Sequence, residues 1–133
     1  MLTMRKETDY AIHMLKYLAK QKAGFISLRE LASDTDISFL FLQKIARKLR
    51  MSRLIKAGAG VSGGYSLNIP AKRISLKMII ETIEGNSAIL PCLCVKNTST
   101  CKGSNKKCIL KAKLTKMNKK IGDILDKTKL TDL

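Results

Sequence analysis

The 133 residues suffice for one domain of ordinary size with an appended element and exclude a large multidomain enzyme. Hydrophobic residues make up 45% of the chain but aromatics only 5%, with no Trp, so the core has to come from Leu, Ile, Met and Ala, a composition that favours helices. Twenty-six Lys and Arg against ten Asp and Glu leave a net charge of +16 at pH 7, which attracts polyanions, nucleic acid first among them. In chain order, Thr8-Asp9 predicts the cap of a helix running to about Lys20, since Tyr10, Ala11, Met14, Leu15 and Leu18 recur at helical spacing. Ser27 predicts the cap of a short helix from Leu28 to about Ser33, with Glu30 in the capping-box position, followed by a turn over Asp34 to Ile37. Ser38 predicts the cap of a third helix, Phe39 to about Met51, whose Leu42, Ile45, Ala46 and Leu49 form a buried stripe. Three helices with a short turn between the last two predict a helix-turn-helix.

Beyond it, Leu54-Ile55-Lys56 and Tyr65 to Ile69 are β-type runs joined by a glycine-rich turn, a β wing. Pro70 stops the second strand, and Ser75 caps a fourth helix with Leu76, Ile79, Ile80 and Ile83 turned inward until Gly85 ends it. Residues 86–107 show little periodicity, and the four Cys all fall between Cys92 and Cys108. Then Leu110, Leu114, Met117, Ile121 and Ile124 step by four, three, four and three, the seam of a long helix, about Lys106 to Lys127, that meets a partner copy. The expected class is therefore mainly α: a winged helix-turn-helix with a two-stranded wing over residues 1–85, a Cys-rich loop over 86–108, and a dimerisation helix and tail over 109–133. No run approaches the roughly 20 apolar residues that span a bilayer, and Met1 to Lys6 lacks a signal-peptide core, so the expected location is the cytoplasm. Four Cys in a reducing compartment point to metal or redox chemistry rather than a disulfide framework.

Four segments carry a resemblance: Thr8-Asp9-Tyr10-Ala11-Ile12, the Ile37-Ser38 to Ile45 stretch, the wing from Gly60 to Leu67, and Ile74-Ser75-Leu76 to Gly85. Together they resemble the Rrf-type winged helix transcriptional regulators, the family of the IscR, NsrR and CymR-like proteins, over nearly the whole chain. The resemblance implies a homodimeric DNA-binding protein on a palindromic operator, a repressor, sensing redox, nitric oxide or iron-sulfur status through an iron-sulfur cluster.

Between Lys44 and Lys56 stand six basic residues and no acidic one. Six phosphate contacts would lower DNA affinity on the order of a thousandfold between about 50 and 200 mM salt. Base edges are read from the N-terminal part of the recognition helix, which selects Ser38, Phe39, Leu40, Gln43 and Lys44. Gln43 suits adenine, Lys44 suits guanine O6 and N7, Leu40 or Phe39 can touch a thymine methyl or pack, and Arg47, Lys48 and Lys56 suit phosphate. Packing is the expected role of Phe41 and Leu42. Ala59 stands where many relatives carry Arg before the first wing glycine, which weakens the case for minor-groove reading by the wing.

Soft thiolates clustered on a loop suit iron-sulfur units, and the wide spacing here does not match zinc knuckles. By resemblance the ligands are Cys94, Cys101 and Cys108, in a spacing somewhat longer than in relatives, and Lys111 stands where some relatives have a ligating His. The fourth ligand is then Cys92, giving an all-thiolate site, or Asp9, which the resemblance to NsrR-like members places opposite a cluster of the partner subunit; His13 lies one turn further along. No catalytic triad, paired carboxylate site or phosphate loop is visible, so catalysis is not expected. Two alternatives stay open: a cluster-free winged helix repressor controlled by thiol oxidation or a partner protein, and a basic RNA-associated adaptor.

Overall fold

The computed structural model describes residues 3–21, 24–60, 63–88 and 109–133. Its elements are α1 (Lys6–Lys20), α2 (Leu28–Thr35), α3 (Phe39–Met51), β1 (Ile55–Gly58), β2 (Gly64–Leu67), α4 (Leu76–Glu84) and α5 (Ile109–Lys127), with short 3-10 turns at Ala71–Arg73 and Leu130–Asp132. The order is that of a winged helix-turn-helix followed by a long C-terminal helix.

Local chemistry explains most boundaries. The Ser27 hydroxyl accepts from Glu30 N at 3.2 Å, and the Ser75 hydroxyl accepts from Met78 N at the same distance, each satisfying an amide left free in a first turn. Gly85, at φ 89°, ends α4 as the sequence predicts. Helix α2 runs two residues past the expected Ser33, because Thr35 bonds back to Leu31 O and Asp36 takes the left-handed cap at φ 59°. Helix α1 departs most. It starts at Lys6, and Thr8 is not its cap but a fully buried residue inside it. The capping group comes from the far end of α4, where Glu84 Oε1 accepts from Arg5 N at 3.0 Å and from the Thr8 hydroxyl at 2.6 Å.

The predicted stripe of α3, Leu42, Ile45, Ala46 and Leu49, is buried and meets Ala11, Met14, Leu15 and Leu18 of α1, Leu31 of α2, and Ile74, Ile79 and Ile83 around α4. Leu76 and Ile80 of α4 are only half-buried. Strands β1 and β2 pair antiparallel, Ile55 opposite Leu67 and Gly58 opposite Gly64. They sit slightly off the expected runs, with Leu54 buried just ahead of β1 and Ile69 beyond β2. On its other edge β2 is pinned by Ile26, which exchanges two backbone bonds with Tyr65, 2.9 and 2.8 Å. That exchange keeps the wing against the helical core.

The C-terminal end returns to the core. Leu76 N donates to Thr128 O and Leu130 N to Ile74 O, both at 2.8 Å, and the Leu130 side chain is 2% exposed. Helix α5, packed along α4, keeps Leu114 and Ile121 half-buried, while Leu110, Met117 and Ile124 stay exposed. The apolar seam is thus divided between an inner row and an open row spaced seven residues apart.

Candidate nucleic-acid interface

Since one side of α3 is committed to the core, its opposite side is fixed in space. Rows three and four residues apart place Leu40, Lys44, Arg47 and Met51 along the outer midline, Gln43 and Phe39 on one flank, and Phe41 and Lys48 on the other. Ser38, Phe39, Leu40, Gln43 and Arg47 are exposed, as is Lys56 on β1. Ser38 occupies the N-cap position of α3, but unlike Ser27 and Ser75 its side chain makes no capping bond, so the hydroxyl cap expected there is not formed.

The flank facing α1 is occupied. Phe41 meets Tyr10 edge to face, ring centres 5.7 Å apart, and the Lys6 ammonium lies 5.7 Å from the Tyr10 ring centre. Lys44 Nζ sits 2.6 Å from Glu7 Oε1, and Lys48 Nζ donates to Glu7 Oε2 at 3.3 Å and to Ile83 O at 3.0 Å. The ammonium of Lys44, and then that of Lys48, holds the Glu7 carboxyl below its ordinary value. Two cations assigned from sequence to bases and phosphates therefore rest on a carboxylate of α1. Sequence reasoning missed Glu7: it lies 37 residues from Lys44 and carries no local motif. Its only signal is that acids are scarce in a chain so rich in cations.

In the wing, Ala59 is exposed; Val61 and Ser62 lie outside the described residues. Asp9 and His13 face solvent on α1, Oδ1 3.5 Å from Nε2, each side chain 58% exposed. Cys92, Cys94, Cys101 and Cys108 lie outside the described residues, and the described residues alone contain no cluster of three or more potential metal ligands.

Among curated relatives, a helix-turn-helix protein of Haemophilus influenzae is 36% identical over 70 residues, 53% of this chain, and the chain spans about half of that protein, 47%. The regulator IscR of Cereibacter sphaeroides is 40% identical over 78 residues, covering 56% of this chain and 50% of that protein. NsrR of Oceanobacillus iheyensis is 29% identical over 133 residues, covering 99% of this chain and 89% of its own. Among solved structures, Bacillus subtilis CymR, the global cysteine regulator, superposes with a TM-score of 0.78 at 23% identity, covering 99% of this chain and 95% of that one. The oxidized form of Staphylococcus aureus CymR gives 0.70 at 29% identity, covering 98% and 94%. The iron-dependent transcriptional regulator family Rrf2 matches residues 4–133, a family of regulators and not of enzymes, and the chain belongs to it.

Proposed function

We propose that the protein binds operator DNA sequence-specifically as a homodimer and represses transcription, with the outer face of α3 in the major groove. The observation that carries this reading is the exposure of Leu40, Gln43 and Arg47 on a helix whose other side is locked into the core. Arg47, Arg50, Arg53 and Lys56 supply four cations clear of Glu7, enough for a salt-dependent hold on phosphate. Twofold symmetry through the open row Leu110, Met117 and Ile124 of α5 matches a roughly palindromic site. No helix among the described residues is long and apolar enough to cross a membrane, and a regulator of this kind works where the DNA is, in the cytoplasm. Selection of duplexes from a random pool should enrich an inverted repeat; a pool that stays random overturns the reading.

For the signal, we propose that the Cys segment holds an iron-sulfur cluster through Cys94, Cys101 and Cys108, with Cys92 or Asp9 as fourth ligand. The donor set fits: three or four soft thiolates suit iron, and the Asp9 carboxylate is open to a group brought by another subunit. Such a cluster supplies a centre that reacts with oxidants or nitric oxide. The segment joins α4 to α5, so its ligands stand between the winged domain and the dimerisation helix in the chain. Anaerobically purified protein should absorb above about 400 nm and contain iron and sulfide, and Cys101→Ser should abolish the absorption. The likeness to CymR, including its oxidized form, favours a second reading, a cluster-free repressor governed by thiol oxidation or a partner protein. A colourless anaerobic protein free of iron, whose operator binding responds to thiol oxidants, selects that reading.

A further inference from the structure

We propose that Leu40 sets the base preference of this protein by seating on the 5-methyl group of thymine, and that the core of each half-site is an A·T step rather than a guanine. The inference rests on the DNA-binding reading above and adds to it the chemistry of the bases recognised. Leu40 is the second residue of α3 and 74% exposed, so it contributes little to folding. It stands in the first turn, the part of a recognition helix that meets base edges, in one row with Lys44 and Arg47. The base edges of the major groove present hydrogen-bonding groups and one apolar group, the thymine methyl. A large aliphatic side chain placed there has that single complement.

The neighbours of Leu40 point the same way. Lys44, the side chain suited to guanine, has its ammonium 2.6 Å from Glu7 Oε1, and turning it to a guanine breaks a charge-assisted bond. Gln43 is exposed, and its amide pairs with adenine N6 and N7. Leu40 and Gln43 are three residues apart, about 5–6 Å between Cβ atoms, so they address the thymine and adenine of one pair or of adjacent pairs.

The test starts from the duplex enriched from a random pool and replaces each half-site thymine in turn by deoxyuridine, which removes only the methyl group. At one symmetric position the native chain should lose about fourfold in affinity per half-site, the value of one buried methyl. Leu40→Ala, which keeps the fold because the side chain is mostly in water, should bind the thymine and uracil duplexes alike. An enriched operator that is indifferent to uracil at every position, or a uracil effect that survives in Leu40→Ala, overturns the assignment while leaving DNA recognition standing. Failure to enrich any sequence overturns the DNA-binding reading itself.

Discussion

The Glu7 carboxylate draws both of its partners from α3, Lys44 at 2.6 Å and Lys48 at 3.3 Å. Lys48 also donates to the carbonyl of Ile83, so its ammonium joins α1, α3 and the last turn of α4. Pairing lowers the Glu7 pKa, so its stabilisation is in force above the ordinary carboxyl value of 4.5 and fades as the pH falls through the lower folded value. Across the neutral range the pair stays intact. Surface ion pairs contribute little to stability, which makes Glu7→Gln a clean perturbation of charge placement. That variant frees two cations for phosphate: affinity for random duplex should rise, and the slope of log affinity against log salt should steepen by between about one and two per protomer. An unchanged slope in a fluorescence anisotropy titration would show that both lysines already leave Glu7 for the DNA.

Elements with local instructions were legible in the sequence. The hydroxyl caps of α2 and α4, the bounds of α3 and its four buried residues all follow from spacing and capping chemistry within a few positions. The start of α1 was not, because Thr8-Asp9 has the look of an N-cap while the real acceptor, Glu84, comes from 76 residues away. Likewise the wing reads as a two-stranded hairpin, and nothing local announces that Ile26 clamps its outer strand. Of the candidate site, the exposure of Gln43 and Arg47 followed from the helical stripe, but the retention of Lys44 and Lys48 depends on a tertiary neighbour. The Ile26 clamp gives a prediction. Gly64 has φ 150°, and a Cβ there would lie 2.3 Å from Ile26 O. Gly64→Ala should therefore lower stability by about 2 kcal/mol or more in denaturant unfolding. At Gly58 the atoms nearest an added Cβ belong to the ring of Phe25, which is 40% exposed and can swing aside, so the loss in Gly58→Ala should be smaller. Equal losses would show that the close approach at Ile26 does not constrain the wing.

At the scale of the molecule, the C-terminal turn closes over α4 and α1: Leu130 is buried in the common core, and Lys16 Nζ donates to Leu133 O at 2.6 Å. We expect the winged region and α5 to melt in one transition, and Leu130→Ala to lower stability by about 2–5 kcal/mol without splitting it. Two separate transitions in calorimetry would show that the helix folds apart. The open row of α5 predicts self-association. Met117→Asp with Ile124→Asp places charge on exposed positions, leaving the half-buried Leu114 and Ile121 in place, and should give folded monomers in sedimentation. A variant that stays dimeric puts the interface elsewhere. The central claim, that the outer face of α3 reads sequence, is tested most directly by comparing affinities for the enriched operator and a base-scrambled duplex in three proteins. The native chain should discriminate between them; Gln43→Ala should lose about 1–3 kcal/mol of that discrimination per half-site, and Arg47→Ala should weaken both duplexes alike. A Gln43→Ala protein that loses affinity equally for operator and scrambled DNA would contradict the account.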